Sequence, residues 1–231
     1  MEKKIDLALL EEKIRGEKKE KFEAFQALLL EYNARFNLTS IIDEKEIFYK
    51  HFLDSSAAAG LIKQNAKVCE VGSGAGFPSI VLKILREDLS FTLIESVGKK
   101  CEFLKVVVDN LGFSRMHICN IRAEDAARDE KHRERYDYAV ARAVARMNSL
   151  SEYCLPLVKK GGEFIAYKSA DLTEIEEAKS AYKLLGGKLK DTILYTLPEG
   201  MGERSLAVVE KIANTPNQYP RGQGKERKSP L

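Results

Sequence analysis

The run Glu70-Val71-Gly72-Ser73-Gly74-Ala75-Gly76 carries the most specific chemistry in this sequence. A short apolar stretch over Lys67–Val71, expected to be a strand, leads into it, and Pro78 follows at a helix start. Three alternating glycines in a strand-to-helix turn permit a tight bend that side chains would block, and they let a ligand approach the backbone. In an open parallel sheet such a turn lies in the crevice at the carboxyl end of the first strand. A dinucleotide-binding fingerprint needs its third glycine three residues after the second. That position is Phe77, so a nicotinamide-dependent dehydrogenase is a poor match. Glu95 ends the second expected strand, 19 positions after Gly76. A carboxylate there can accept hydrogen bonds from ribose hydroxyls, although by itself it reads as a strand-end surface residue.

These groups need a scaffold, and the hydrophobic pattern supplies one. Phe22, Phe25, Leu28, Leu29, Tyr32 and Phe36 recur at steps of three and four and predict an amphipathic helix over about Lys18–Phe36. A second helix is expected from Asp43 through Ala59, ended by Gly60, with Ile47, Phe48, Phe52 and Leu53 as its contacts. From Lys67 onward, short apolar runs alternate with helical stretches, the pattern of a parallel sheet wrapped by helices. Strands are expected near Lys67–Val71, Ser90–Glu95, Met116–Cys119, Tyr136–Ala141, Glu163–Lys168, Lys188–Leu197 and Ser205–Ile212. Helices are expected near Pro78–Arg86, Gly98–Leu111, Met147–Leu157 and Asp171–Leu185.

A chain of 231 residues, 44% hydrophobic and 32% charged, can bury one substantial core. Apolar runs such as Ala27–Leu30 and Phe103–Val108 are far shorter than the roughly 20 residues a bilayer requires. The opening Glu2, Lys3 and Lys4 fits neither a secretory signal nor an acid-poor transit peptide, so a cytoplasmic protein is expected. Cys69, Cys101, Cys119 and Cys154 form no paired motif and read as reduced, mostly buried thiols. His51, His117 and His132 show no ligand spacing, so no metal is expected. Net charge is only +3, but Arg221, Lys225, Arg227 and Lys228 crowd the last eleven residues against the single acid Glu226. That tail reads either as a solvated, flexible basic segment or as one that contacts phosphates.

The Glu-x-Gly-x-Gly-x-Gly spacing of Glu70, Gly72, Gly74 and Gly76 resembles the first motif of S-adenosylmethionine-dependent methyltransferases of the Rossmann-like class. The resemblance implies a donor whose methionine end rests against Gly72 and Phe77, whose ribose is held by Glu95 and whose adenine lies by Ala123 and Glu124. It also implies that Arg142, at the end of the fourth expected strand, faces the methyl group. A strand-end surface arginine is the plainer alternative.

From about Tyr32 to Leu231 the chain further resembles one family, the small-subunit ribosomal RNA guanine-N7 methyltransferases (RsmG, or GidB). Its landmarks are Asn33–Thr39, His51–Ser55, Gly72–Pro78, Glu95-Ser96, Lys99-Lys100, Phe103-Leu104, Arg122–Glu124, Arg142-Ala143, Lys168, Arg204, Tyr219–Arg221 and Lys228–Leu231. Three positions depart from the pattern: Ser79 and Ser169 replace glycines, and Glu226 replaces a proline. The resemblance implies an α/β Rossmann-like sheet with helices on both faces. An N-terminal helical extension (residues 1–60) would precede a methyltransferase domain (61–213) and a basic tail (214–231). It implies a monomer acting on 16S ribosomal RNA or the small-subunit particle, with Asn37, His51 and Asp54 closing over donor or target base. Asn37 could equally cap a helix, and His51 with Asp54 could be a local helix pair. Lys99, Lys100, Lys168, Arg204, Arg221, Lys225, Arg227 and Lys228 would line a phosphate path. Two other readings stay open: a methyltransferase for a small molecule or protein, and a non-catalytic RNA-binding assembly factor that keeps the fold.

Overall fold

The computed structural model describes residues 5–231; the charges at Glu2, Lys3 and Lys4, and the start of the expected N-terminal extension, lie outside the described residues. The N-terminal helices are α1 (Leu7–Arg15), α2 (Lys19–Phe36) and α3 (Glu44–Glu46), followed by a π-helical stretch over Ile47–Leu53 and α4 (Asp54–Ser56). The alternating part comprises β1 (Lys67–Val71), α5 (Ser79–Leu85), β2 (Ser90–Glu95), α6 (Gly98–Asn110), β3 (Met116–Asn120), α7 (Ala123–Ala126), β4 (Tyr136–Arg142) and α8 (Met147–Cys154). After a 3-10 turn at Leu155–Leu157 come β5 (Val158–Ser169), α9 (Thr173–Glu177), α10 (Lys179–Leu184), β6 (Gly187–Leu197), β7 (Gly202–Lys211) and α11 (Lys225–Lys228).

The seven strands form one sheet in the order β3-β2-β1-β4-β5-β7-β6, parallel except for β7, which runs antiparallel to both its neighbours. The strand order reverses between β1 and β4, which opens a crevice at their carboxyl ends, where open α/β sheets bind ligands. Alternate side chains of each strand serve the two faces. Val68, Val140, Ile165, Tyr167, Leu206 and Val208 pack under the N-terminal helices, α5 and α6. Cys69, Val71, Ala139, Ala141, Phe164, Ala166, Ala207 and Val209 pack under α7 to α10.

Every expected strand is present, and the differences lie in the helices. The expected helix over residues 43–59 has a π-helical middle. Such widening places side chains where an α-helix would not, and it recurs at functional sites. The expected helix over 171–185 is two short helices that meet at Ala178. Helix α1 was not foreseen, because its apolar residues are too sparse for a clear stripe; only Ile14 is fully buried. The tail was expected to be flexible unless a surface ordered it, and the domain itself orders it: Asn148 donates to the Leu231 carbonyl (2.7 Å), and Arg128 and Arg133 donate to the Pro220 and Tyr219 carbonyls (2.7 and 2.9 Å).

The N-terminal helices share their core with the sheet. Phe25 is fully buried and stacks on Phe52, with ring centroids 5.8 Å apart, and it packs at 5.2 Å against Phe77 from the glycine loop. Phe25→Ala is expected to destabilise the protein by about 3–5 kcal/mol in denaturant titrations, because the hole left beside the Phe52 and Phe77 rings cannot close. A loss below 1 kcal/mol would show that the helices are merely appended.

Candidate donor and acceptor site

The turn after β1 is built by removing side chains. Gly72, Gly74 and Gly76 all have positive φ, and a Cβ at Gly72 would lie 2.7 Å from Val144 Cγ2. At Gly76 it would collide with Ile80 Cγ1. The Gly74 N–H donates to Glu95 Oε2 (2.9 Å) and the Val97 N–H to Glu95 Oε1 (2.8 Å). Each Glu95 oxygen therefore spends one lone pair on the backbone and keeps one for a ligand.

Beneath the loop, Glu70 is fully buried and neither of its carboxyl oxygens has a hydrogen-bond partner; the Ser79 hydroxyl beside it is also unpartnered. Burial pushes the Glu70 carboxyl up to about 8. Orphaned polar groups of this kind under a glycine cradle suit a ligand that carries an amino group.

Two cavities flank the end of β4. One, of about 200 Å³, is lined by Gly72, Glu95, Ala123, Glu124 and Val144, with Tyr153 and two tail residues, Gly224 and Arg227. The other, of about 440 Å³, is lined by Lys50, His51, Asp54, Arg142, Tyr167, Lys168, Ser169, Glu174 and Arg204. Ala143 lies between Arg142 and Val144 with φ +57°, an uncommon conformation for a residue with a side chain. This kink presents Val144 to the first cavity and Arg142 to the second.

Arg142 is the hub of the second cavity. It donates to the Lys50 carbonyl (2.8 Å), to Asp54 Oδ2 (2.9 Å) and to His51 Nδ1 (3.0 Å), and lies 5.1 Å from the Phe77 ring centre. Burial and the Arg142 charge hold the His51 imidazole down to about 3, so it is neutral. With Nδ1 accepting from Arg142, we assign the proton to Nε2, which donates to Thr39 Oγ1 (2.9 Å). His51 also stacks on Phe77, with centroids 4.4 Å apart. The second Asp54 oxygen accepts from the Tyr195 hydroxyl (2.7 Å), and Tyr167 fixes the helix by donating to the Ser55 carbonyl (2.7 Å).

The structure thus gathers Gly72, Glu95, Ala123 and Glu124 round one cavity and His51, Asp54, Arg142, Lys168 and Arg204 round the other. Asn37 stands apart: it ends α2 in the left-handed conformation with an exposed side chain. Lys168 is directed inward, donating to the Ala145 carbonyl and pairing with Glu174 (3.1 Å). Arg221 is paired with the fully buried Glu152 (2.8 Å). Lys99, Lys225 and Lys228 are exposed and Lys100 is half-buried.

Thr39 and Tyr195 were not singled out from the sequence. Thr39 lies within the Asn33–Thr39 run, so a signal existed. Tyr195 had none beyond its place among the inward residues Ile193, Tyr195 and Leu197 of β6.

A family model described as rRNA small subunit methyltransferase G matches residues 18–199. The chain belongs to this family. Proteins named ribosomal RNA small subunit methyltransferase G from Lactobacillus acidophilus and Staphylococcus aureus are each 44% identical to it, covering 92% of this chain and 91% and 90% of their own. The protein of that name from Brevibacillus brevis is 45% identical over 92% of this chain and 91% of its own. Among solved structures, M. jannaschii TYW2 in complex with AdoMet is similar in fold, with a TM-score of 0.55 at 15% identity over 75% of this chain and 80% of that one. The Agrobacterium tumefaciens protein Atu636, titled a predicted O-methyltransferase, has a TM-score of 0.53 at 18% identity over 71% of this chain and 81% of that one.

The two perturbed groups act oppositely on stability. For His51 the folded value, about 3, lies below the ordinary 6.5, so its contribution is full above about pH 6.5 and declines as pH falls toward 3. For Glu70 the folded value, about 8, lies above the ordinary 4.5, so its contribution is full below about pH 4.5 and is lost as pH rises toward 8. Glu70→Gln, which cannot ionise, is expected to flatten the decline in melting temperature of the ligand-free protein between pH 5 and 8. An unaltered pH profile would show that Glu70 is not a buried neutral acid.

Proposed function

We propose that this family member transfers the methyl group of S-adenosylmethionine to N7 of a guanine in 16S ribosomal RNA, as a cytoplasmic monomer and without a metal. The observation that carries the reading is the pair of cavities meeting at the Arg142–Val144 kink, one suited to an adenosine and the other to a flat, polar acceptor. S-adenosylmethionine, when bound, supplies an electrophilic methyl carbon on a sulfonium. Glu95 would hold its ribose, Glu70 and the glycine backbone its amino-acid end, and Ala123 and Glu124 its adenine.

The acceptor cavity favours an atom that needs no deprotonation. His51 is neutral with both ring nitrogens engaged, Asp54 is bonded by Arg142 and Tyr195, and Glu174 is bonded by Lys168 and the Met147 N–H. His51 and Asp54, the imidazole and carboxylate beside Arg142, are thus committed to protein partners on every nitrogen and oxygen. Guanine N7 has a lone pair and no proton, so the protein's task is to align it and exclude water, which can be worth up to roughly 7–11 kcal/mol. Arg142 and its partners form a preorganised polar wall for the charge that moves onto the ring. N7 faces the deep, narrow groove of A-form RNA, so the substrate base is an exposed or splayed-out one. Among the described residues, no helix is long and apolar enough to cross a membrane.

Ribosomal RNA from cells with and without the gene, mapped by mass spectrometry, is expected to differ by one N7-methylguanine. A different modified atom would overturn the assignment, and no difference would favour an assembly role. Arg142→Ala is expected to lower kcat on small-subunit RNA by about a hundredfold, because it releases His51 and Asp54 together. Neutralising Lys99, Lys100, Lys225 and Lys228 is expected to reduce the salt dependence of RNA binding by about one unit of log–log slope for each phosphate that is no longer neutralised. An unchanged slope would place the RNA elsewhere.

A further inference from the structure

The backbone of the basic tail is held against the domain, although Lys225, Arg227 and Lys228 are exposed. Arg221 spans Glu152 with its guanidinium (Nε 3.0 Å, Nη2 2.8 Å) and also donates its backbone N–H to the same carboxylate (2.7 Å). Glu152 is fully buried on α8. Glu226 is fully buried as well: its Oε1 accepts from the Gly222 N–H, its carbonyl accepts from Ser149 Oγ (2.5 Å), and its Oε2 has no partner. Burying a carboxylate is costly unless it is paired and hydrogen-bonded, as Glu152 is by Arg221, whereas one Glu226 oxygen stays unpartnered. The position this anchoring secures is that of Gly224 and Arg227, which complete the cavity formed by Gly72, Glu95, Ala123 and Glu124. Arg227 takes part in no ion pair among the described residues, and its hydrogen bond to protein is a long one, 3.5 Å to the Val144 carbonyl.

We propose that residues 219–231 form one wall of the donor site, with the Arg227 guanidinium laid against the adenosine half of S-adenosylmethionine. A planar, always-charged guanidinium can stack on the adenine face while its N–H groups donate to oxygens beside the ring, which a lysine cannot. Arg227, exposed like Lys225 and Lys228 but lining the cavity, then belongs to the donor rather than to the RNA phosphate path, and the two lysines are left for RNA. The inference rests on the donor reading given above.

Calorimetry on the full-length protein separates the two. S-adenosylhomocysteine and 5′-methylthioadenosine, which shares the adenosine but lacks the amino-acid end, are titrated into wild type, Arg227→Ala and Arg227→Lys. Arg227→Ala is expected to weaken both ligands by about tenfold, and Arg227→Lys to recover only part of that affinity, with melting temperatures of the ligand-free proteins unchanged. Wild-type binding that Arg227→Ala leaves intact, with affinity for small-subunit RNA lowered instead, overturns this inference alone. Absence of binding by the wild type overturns the donor reading and this inference with it.

Discussion

The carboxyl end of β4 carries the constraint to which the rest of the molecule conforms. Over three residues the chain must direct a cation to one side and a branched apolar side chain to the other, and Ala143 takes an unfavourable backbone conformation to do so. Val144 can lie where it does only because Gly72 has no Cβ to meet it. Arg142 can be half-buried only because Asp54, the Lys50 carbonyl and His51 satisfy its donors. Strain at one residue is thus held in place by packing on one side and by charge-assisted hydrogen bonds on the other.

This arrangement explains why an α/β sheet carries a helical N-terminus. The partners of Arg142 come from the π-helical stretch and the residue after it; Phe22 and Phe25 pack on Phe52 of that stretch, and Tyr195 and Tyr167 of the sheet hold Asp54 and Ser55 just beyond it. Phe77 ties the two parts together, since it leaves the glycine loop and meets Phe25, Phe52, His51 and Arg142. The loop that would hold the donor and the helix that faces the acceptor therefore cannot move independently. For a reaction in which alignment does most of the work, that coupling matters more than any single proton-transferring group.

The tail adds a second coupling. Tyr219, Pro220 and Arg221 dock on Arg133, Arg128 and Glu152, so the basic end of the chain is joined to the face of the sheet behind the cavity lined by Gly72, Glu95 and Ala123. A charged segment is thereby ordered by carboxylates and carbonyls that the core supplies, rather than by apolar area of its own.

The strands and the glycine loop were largely legible in the residues, whereas the order of the strands in the sheet was not. Strand patterning is local, and an alternating-glycine turn between Val71 and Pro78 has few other uses. Glu95 could be found because it ends the second expected strand, 19 positions after Gly76, and the β1–β2 register, which pairs Ile94 with Val71, then sets the Glu95 carboxylate next to the loop. The acceptor side was only partly legible. His51, Asp54 and Arg142 were expected there, but nothing in the sequence joins Asp54 to Tyr195, 141 positions away, or shows that Lys168 turns inward to Glu174. Nor could composition show that Arg221 has a buried partner 69 positions earlier. Periodicity and glycine placement act over a few residues, so the sequence by itself determined the strands and the loop. Where charges end depends on which buried groups the folded chain brings within hydrogen-bonding reach of them, and only the tertiary structure decided that.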